Sequence, residues 1–329
     1  MSKLAYKFKG SGFDAPEEKR KYKQNRELAD TFKKWLEISG RDSENYWHNY
    51  KLAIKMTKNL EISVTSLHAL LVAHQDHKYF EHAGIFASAV YNQVPDKEII
   101  YDLELDLTNI GLYLSKDKTI INTGIAGGVF GHMSEGTVIN KGKAGDSLGA
   151  DATGLVVNMG HAGAFMGSGA SAPIINYGAV SEMRDNNLPD QRGTGPVINY
   201  GHAEILGIDF NTLILNFGTA LKMAQDCDDK CVAINYGKAG SDFGSYSNGI
   251  MLAVKDPESF GAKVNARLSW CAEDIKLTRP LNKYLKALKE KFEPGRKDYH
   301  AVLEALKEYP LEKITKDIEK IVREAGYEI

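Results

Sequence analysis

Four histidines lie within fifteen residues of one another in the first third of the chain, and they are the first candidates for metal chemistry. They are His68, His74, His77 and His82. On a helix, His74 and His77 would share a face, and imidazole beside a carboxylate such as Asp76 or Glu81 is a ligand set for zinc or iron. The chain lacks the His-Glu-x-x-His and paired Glu-x-x-His patterns. The sequence therefore favours a surface or interface cluster and predicts no metal, with His74, His77 and His82 as weak candidates.

Two cysteines, Cys227 and Cys231, bracket a short acidic and basic segment, and Cys271 is the third thiol. A Cys-x3-Cys pair with one further cysteine is a poor zinc site, because structural zinc takes four ligands. We interpret the pair as part of a turn. An odd number of cysteines also makes no disulfide framework and predicts a reducing, cytoplasmic location.

An Asn-x-Gly motif recurs along the chain, and basic and aromatic residues lie beside it in several of its copies. The position after the glycine holds Lys143, His161, His202 and Lys238 in different copies, and the position after the asparagine holds Tyr177, Tyr200, Phe217 and Tyr236. The basic residues are either solvent-exposed side chains without a binding role or, if they face outward, a row that binds an anionic ligand or an acidic partner. The aromatic set is either covered by the chain's own terminal helices or forms a groove for sugar rings or a protein partner.

Residues for covalent or acid–base catalysis are sparse. The chain has no phosphate-binding P-loop, and its glycines, including those of the Gly-x-Ser-x-Gly match at residues 145–149, have the spacing of a repeat rather than the strand–turn–helix context of a nucleophile elbow or a dinucleotide site. Carboxylates are few in the repeat: Asp146 and Asp151 are close in sequence, and Glu182, Asp185 and Asp190 lie on or beside one irregular segment. The sequence predicts no catalytic residue and no cofactor, and it favours a protein that is not an enzyme.

The Asn-x-Gly motif recurs throughout residues 120–254 and defines a repeat there. Its asparagines are Asn122, Asn140, Asn158, Asn176, Asn199, Asn216 and Asn235. They are separated by 18, 18, 18, 23, 17 and 19 residues. Repeats of this length are too short for helical hairpins, which need about 33 residues or more. Apolar, mostly β-branched residues precede each asparagine. The pattern predicts a central parallel β-helix with one coil of 17–23 residues per repeat.

Stacked coils would place equivalent residues in ladders about 4.8 Å apart. A buried column of asparagines can satisfy itself, since each amide donates to one neighbour and accepts from the other. We therefore predict a structural Asn ladder. The residues just before the asparagines are predicted to form an apolar core ladder: Ile121, Ile139, Val157, Ile175, Ile198, Leu215 and Ile234. Parallel crossovers are overwhelmingly right-handed, so we expect a right-handed helix.

The segments 124–142 and 142–160 resemble the glycine-rich β-helix domain at the end of the glutamate synthase large subunit, which also occurs as a subunit of formylmethanofuran dehydrogenase. The shared pattern is Gly-x-Ala-Gly, then a glycine and often a methionine, then a glycine before the next strand. It is carried by Gly124, Ala126, Gly127, Gly131, Met133 and Gly136, and in part by Gly142, Ala144, Gly145 and Gly154. The resemblance covers about residues 120–255 and implies a scaffold rather than a catalyst.

The rest of the chain is helical in pattern. We predict a helical domain over residues 1–98, the β-helix over 99–255 and a helical segment over 256–329. The coil after Asn176 is about five residues too long, so residues 183–193 should project as a loop. Residues 257–329 carry amphipathic stripes, and we expect them to lie over the last coil or to fold back along the aromatic residues.

The 329 residues are 43% hydrophobic and 26% charged with a net charge of −2, so no nucleic-acid or membrane partner is predicted. The N-terminus has no apolar stretch like that of a signal peptide. We expect a non-catalytic scaffold or assembly subunit with a protein partner or a homo-oligomeric state. The alternative is a carbohydrate-binding or carbohydrate-active protein that uses the outer face and the 183–193 loop.

Overall fold

A computed structural model describes residues 16–40, 45–185, 193–240, 242–254, 268–271, 275–293 and 298–327. The chain forms two compact units, Met1–Val94 and Pro95–Ile329. Within the described part of the chain, no helix combines the length and the apolar character needed to cross a membrane.

The first unit is helical. Its elements are α1 (Pro16–Ser39), α2 (Tyr46–Thr57), α3 (Val64–Ala73), a 3-10 turn (Phe80–His82) and α4 (Ala83–Gln93). Every residue of α4 from Ala83 to Tyr91 is buried, so this helix is the centre of the unit. Its small residues let the neighbouring helices approach closely, while Phe86 packs against Phe32 and Trp35 of α1 at ring-centroid distances of 4.9 and 5.3 Å.

The second unit is a parallel β-helix. Ten strands form sheet A: β1 (Glu98–Tyr101), β2 (Thr119–Asn122), β4 (Thr137–Asn140), β6 (Val156–Asn158), β8 (Ile174–Asn176), β10 (Val197–Asn199), β12 (Leu213–Asn216), β14 (Val232–Asn235), β16 (Ile250–Ala253) and β17 (Leu268–Cys271). Seven form sheet B: β3 (Ile125–Ala126), β5 (Lys143–Ala144), β7 (His161–Ala162), β9 (Ala179–Arg184), β11 (His202–Ile208), β13 (Thr219–Met223) and β15 (Lys238–Ala239).

The register of sheet A confirms the fold predicted from the Asn-x-Gly spacing. Each strand pairs in parallel with the strand of the next coil, and asparagine stands beside asparagine from Asn122 to Asn235. The coil lengths are therefore the sequence spacings. The handedness of the helix stays a prediction.

The apolar residues that precede the asparagines do form a ladder, but the prediction that it lies in the core is wrong, because it lies on the outer face of sheet A. Successive side chains of a strand point to opposite faces, and the inward positions are the asparagine and the residue two before it. Val138 and Val156, for example, face Gly131 and Gly149 across the interior. The seven residues from Ile121 to Ile234 point outward. They are buried there because other parts of the chain, chiefly the C-terminal helices, cover them.

Left-handed backbone shapes the side of each coil opposite sheet A. Ser147, Gly149 and Asp151 have φ values of 62°, 67° and 52°, and the same alternation recurs at Val129, Gly131 and Met133. Backbone N–H groups of this arc bond to both neighbouring coils: Gly149 donates to Phe130 O at 2.8 Å and Asp151 to Ser168 O at 2.8 Å. The arc thus continues the coil-to-coil hydrogen bonding beyond the two sheets.

Gly149→Ala is expected to destabilise the β-helix by about 3 kcal/mol. An alanine there takes a left-handed conformation, costing about 1–2 kcal/mol, and its Cβ would lie 2.5 Å from a Val156 methyl group, adding an overpacking cost of about 1–3 kcal/mol. Gly326→Ala is the matched control, because its φ is 88° and no atom lies within 4 Å of the new Cβ. Equal shifts of the two urea midpoints would contradict the packing of this interior.

Three helices follow sheet A: α5 (Ile275–Phe292), α6 (Tyr299–Glu308) and α7 (Leu311–Glu324). They fold back on the outer face of sheet A, where Leu285, Val302 and Ile318 join Ile198 and Leu215 in one buried cluster. The prediction of a helical segment from residue 256 onward is wrong at β17, which adds another strand to sheet A. Residues 255–267 lie outside the described residues.

Candidate interaction surfaces

The Asn ladder is a continuous buried chain of amide hydrogen bonds. Each Nδ2 from Asn122 to Asn216 donates to Oδ1 of the next asparagine at 2.7–2.8 Å. The same Nδ2 donates to a backbone carbonyl at the start of the next strand of sheet B, such as His161 O at 2.8 Å from Asn140. All seven side chains are fully buried. The ladder is therefore structural, and it ties sheet A to sheet B at the corner between them.

The ladder ends differently at its two limits. Tyr101 occupies the position paired with Asn122, and its buried hydroxyl group donates to Leu105 O at 2.7 Å. At the other limit Asn235 pairs with Ala253, which offers no side-chain acceptor. The Nδ2 atom of Asn235 is buried and has no hydrogen-bond partner among the described residues.

Tyr177, Tyr200, Phe217 and Tyr236 form an aromatic column at this corner. Their rings stack almost parallel, with centroids 4.8, 5.0 and 4.9 Å apart and interplanar angles of 7–10°. Isolated rings prefer offset or edge-to-face contacts, so the coil register, about 4.8 Å per strand, imposes this arrangement.

Helix α5 lies against the aromatic column. Tyr236 Oη donates to Leu285 O at 2.9 Å, and Tyr200 Oη donates to Phe292 O. Burial raises the pKa of the Tyr200 and Tyr236 hydroxyl groups above the ordinary value, so both remain protonated donors. Of the two possibilities for these rings, the structure shows packing against the chain's own C-terminal helices. Tyr236 is buried there, whereas Tyr177, Tyr200 and Phe217 are partly buried.

Tyr236→Phe is expected to lower the free energy of unfolding by about 1 kcal/mol, because Leu285 O loses its hydroxyl donor. Tyr177→Phe should be neutral or slightly stabilising, because the buried Tyr177 hydroxyl group has no partner among the described residues. Phe217 shows that the column accepts a ring without a hydroxyl group. Chemical denaturation of the two variants checks the prediction, and a larger loss for Tyr177→Phe would contradict it.

The outer face of sheet B carries what we call the basic column. In coil order its members are Lys143, His161, Ala179, His202, Thr219 and Lys238, and the register places each beside the next. The four basic side chains are exposed. None of them takes part in an ion pair within the described residues.

A row of glycines borders the basic column on the side of the Asn ladder. A Cβ atom at Gly160, Gly178, Gly201 or Gly218 would lie 2.0–2.1 Å from the carbonyl oxygen of the preceding coil. This close approach excludes any larger residue, and it leaves the backbone bare beside the basic side chains. On the other side, Glu204 and Leu221 are exposed, Leu221 at 52%. The basic column therefore forms a ridge beside a shallow, side-chain-free strip.

The four histidines of the first unit do not converge on one point, and each has its own partner. The pairs are His68 Nε2 with Tyr91 Oη at 2.9 Å, His74 Nδ1 with Leu70 O at 2.9 Å, His77 Nε2 with Glu37 Oε1 at 3.7 Å and His82 Nε2 with Glu81 Oε1 at 3.6 Å. In the part of the chain that the structure describes, no three His, Cys, Asp or Glu side chains are placed to share a metal ion.

Cys227 and Cys231 are both buried, free thiols beneath a surface turn. Cys227 Sγ donates to Gly207 O at 3.2 Å. A hydrogen bond with the Cys231 side chain, together with burial, raises the pKa of the Cys227 thiol well above its ordinary value. A thiol in this environment is unreactive, because the thiolate is the nucleophilic form.

The predicted 183–193 loop lies largely outside the described residues, which stop at Asp185 and resume at Gly193. The two ends are joined by Asp185, a buried carboxylate that sequence reasoning placed among the possible acids rather than among the structural residues. It accepts hydrogen bonds from Ser168 Oγ and Gly169 N, both at 3.2 Å, and from Gly193 N. Its position within the overlong coil, directly before the extra residues, is the signal that could have identified this role.

No family model, no curated protein and no solved structure matches this chain. The resemblance to the glutamate synthase and formylmethanofuran dehydrogenase β-helix stays a prediction.

Proposed function

We propose that this protein is a non-catalytic scaffold or assembly subunit that presents one face of its β-helix to a protein partner. One observation carries the proposal. Helices α5–α7 cover the outer face of sheet A. The basic column on sheet B is exposed instead, and its two lysines and two histidines form no ion pair among the described residues.

The fold supports a presenting role. The β-helix holds equivalent residues at a constant spacing along its axis, and the buried Asn ladder fixes the corner from which the basic column projects. A surface that is rigid before binding loses little conformational entropy on association. The candidate acids Asp146 and Asp185 are instead used in hydrogen bonds between coils, Asp146 Oδ1 accepting from Ala164 N at 2.8 Å.

A sugar-binding groove on the aromatic column is disfavoured, because the column packs against the C-terminal helices and Tyr200 and Tyr236 donate hydrogen bonds to carbonyl groups of α5. The proposal therefore places the partner on sheet B and not on the aromatic column.

Native mass spectrometry of the untagged protein, isolated from its own host, tests this function. We expect a stoichiometric protein partner or a defined homo-oligomer. Isolation of a monomer without any bound protein, under gentle conditions and low salt, would contradict the scaffold proposal. A monomer that carries a bound glycan would instead support the carbohydrate alternative.

A further inference from the structure

The chain's own helix α5 shows how a helix fits this β-helix. Tyr236 and Tyr200 lie two coils apart, and their hydroxyl groups bind the carbonyl oxygens of Leu285 and Phe292, which lie seven residues apart. The two ring-to-ring steps of 5.0 and 4.9 Å match about seven residues of helix at about 1.5 Å each. Two coils therefore correspond to one helical heptad.

From His161 to Lys238 the basic column repeats with the same two-coil period, whereas Lys143 lies in the coil directly before His161 and is outside that period. His161, His202 and Lys238 are separated by the small residues Ala179 and Thr219, so large basic side chains alternate with gaps. A helix that lies along this ridge would meet a basic side chain once per heptad and would have a gap between successive contacts.

The chemistry of the ridge selects the side chains of such a helix. Lysine ammonium and imidazole N–H groups donate to carboxylates in charge-assisted hydrogen bonds. The exposed Leu221, beside the ridge, offers one apolar contact. The bare glycine strip lets the helix approach the backbone closely.

We infer that the partner docks an acidic, amphipathic α-helix along the basic column, with carboxylates that recur every seven residues. This inference rests on the proposed scaffold function and names the partner element. The limits of the periodic part, His161 and Lys238, are four coils apart, which is about 19 Å at about 4.8 Å per coil. A helix of about 13 residues spans that length.

A fluorescently labelled synthetic helix tests the inference by fluorescence anisotropy. The probe is a peptide about three heptads long with one glutamate in each heptad and a leucine one turn away. We expect saturable binding to the full chain that weakens about tenfold in Lys238→Glu, which reverses the charge of the lysine in the periodic part. The matched control is Lys286→Glu, which makes the same charge change at an exposed position of α5 and should leave the affinity unchanged. Equal affinities for the two variants would overturn the inference.

A second variant separates a seated helix from loose attraction between charges. Ala179→Tyr fills a gap of the ridge without changing the charge, and we expect it to weaken peptide binding about tenfold as well. Unchanged affinity in Ala179→Tyr, equal binding of a scrambled peptide of the same composition, or tighter binding of a single-stranded oligothymidylate would each overturn the helix model of recognition. If these tests fail while native mass spectrometry still finds a partner, the scaffold function stands and only the docking element is wrong.

Discussion

Replacing Asn158 with leucine should lower the free energy of unfolding of the β-helix by about 2–5 kcal/mol. The change removes the acceptor of Asn140 Nδ2 and the donor to Asn176 Oδ1, both at 2.8 Å, inside a fully buried column. It also removes the donor to Ala179 O. Each buried polar group that loses its partner costs about 1–3 kcal/mol. Urea denaturation followed by circular dichroism measures the effect.

Asn235→Leu is the matched control for this prediction. Asn235 is the last asparagine of the ladder, and its Nδ2 has no partner among the described residues. Its replacement orphans only the amide of Asn216 and removes a donor that is already unsatisfied, so we expect a loss of about 1–2 kcal/mol. Indistinguishable midpoints for the two variants would contradict a ladder in which each amide depends on both neighbours.

Removing residues 275–329 should convert the protein into a self-associating species that keeps its β structure. The deletion uncovers an apolar strip on sheet A that includes Ile198, Leu215, Ile234 and the aromatic column. Contiguous exposed apolar surface of this size is rare on soluble monomers and promotes association. Size-exclusion chromatography with light scattering reports the mass, and far-ultraviolet circular dichroism reports the β signal.

Point variants of α5 test the same contact without a deletion. Leu285 is fully buried against sheet A, whereas Lys286, the next residue, is exposed. Leu285→Asp should reproduce the self-association at least in part, because an unpaired buried charge displaces the helix. Lys286→Asp should behave as the wild-type protein does. A truncated protein that stays monomeric at high concentration would show that α5–α7 do not protect sheet A.

The repeat is the part of the fold that could be predicted from the sequence. Asn122, Asn140 and Asn158 recur at a constant spacing, and a ladder of buried amides follows from their hydrogen-bonding capacity. The period also excludes helical repeats. These inferences depend on local spacing and on the chemistry of one residue type, and both are visible in the chain itself.

The orientation of the strands could not be predicted in the same way. Ile120 and Ile121 are both apolar and both buried, so the strand has no polar side that would mark the outer face. Ile121 points outward, in a row with Ile139 and Val157, and the burial of that row depends on residues distant in sequence, Tyr299 of α6 among them. Only the tertiary contact decides which of two adjacent isoleucines lies in the interior.

The candidate surfaces show the same limit. The positions of Lys143 and Lys238 in the repeat indicated a stripe, but whether it lay open depended on which face the helices cover. The clustering of His74, His77 and His82 in sequence indicated a possible common site. The turn after α3 and the start of α4 instead place each beside a different partner.

Amine-reactive labelling of lysines in the native complex tests the central claim most directly. In the complex isolated from the host, Lys143 and Lys238 of sheet B should be labelled several-fold less than in the free protein, whereas Lys286 of α5 should be labelled equally in both. That pattern would locate the partner on the face that the chain's own helices leave open. Full labelling of Lys143 and Lys238 in an intact complex would contradict the account.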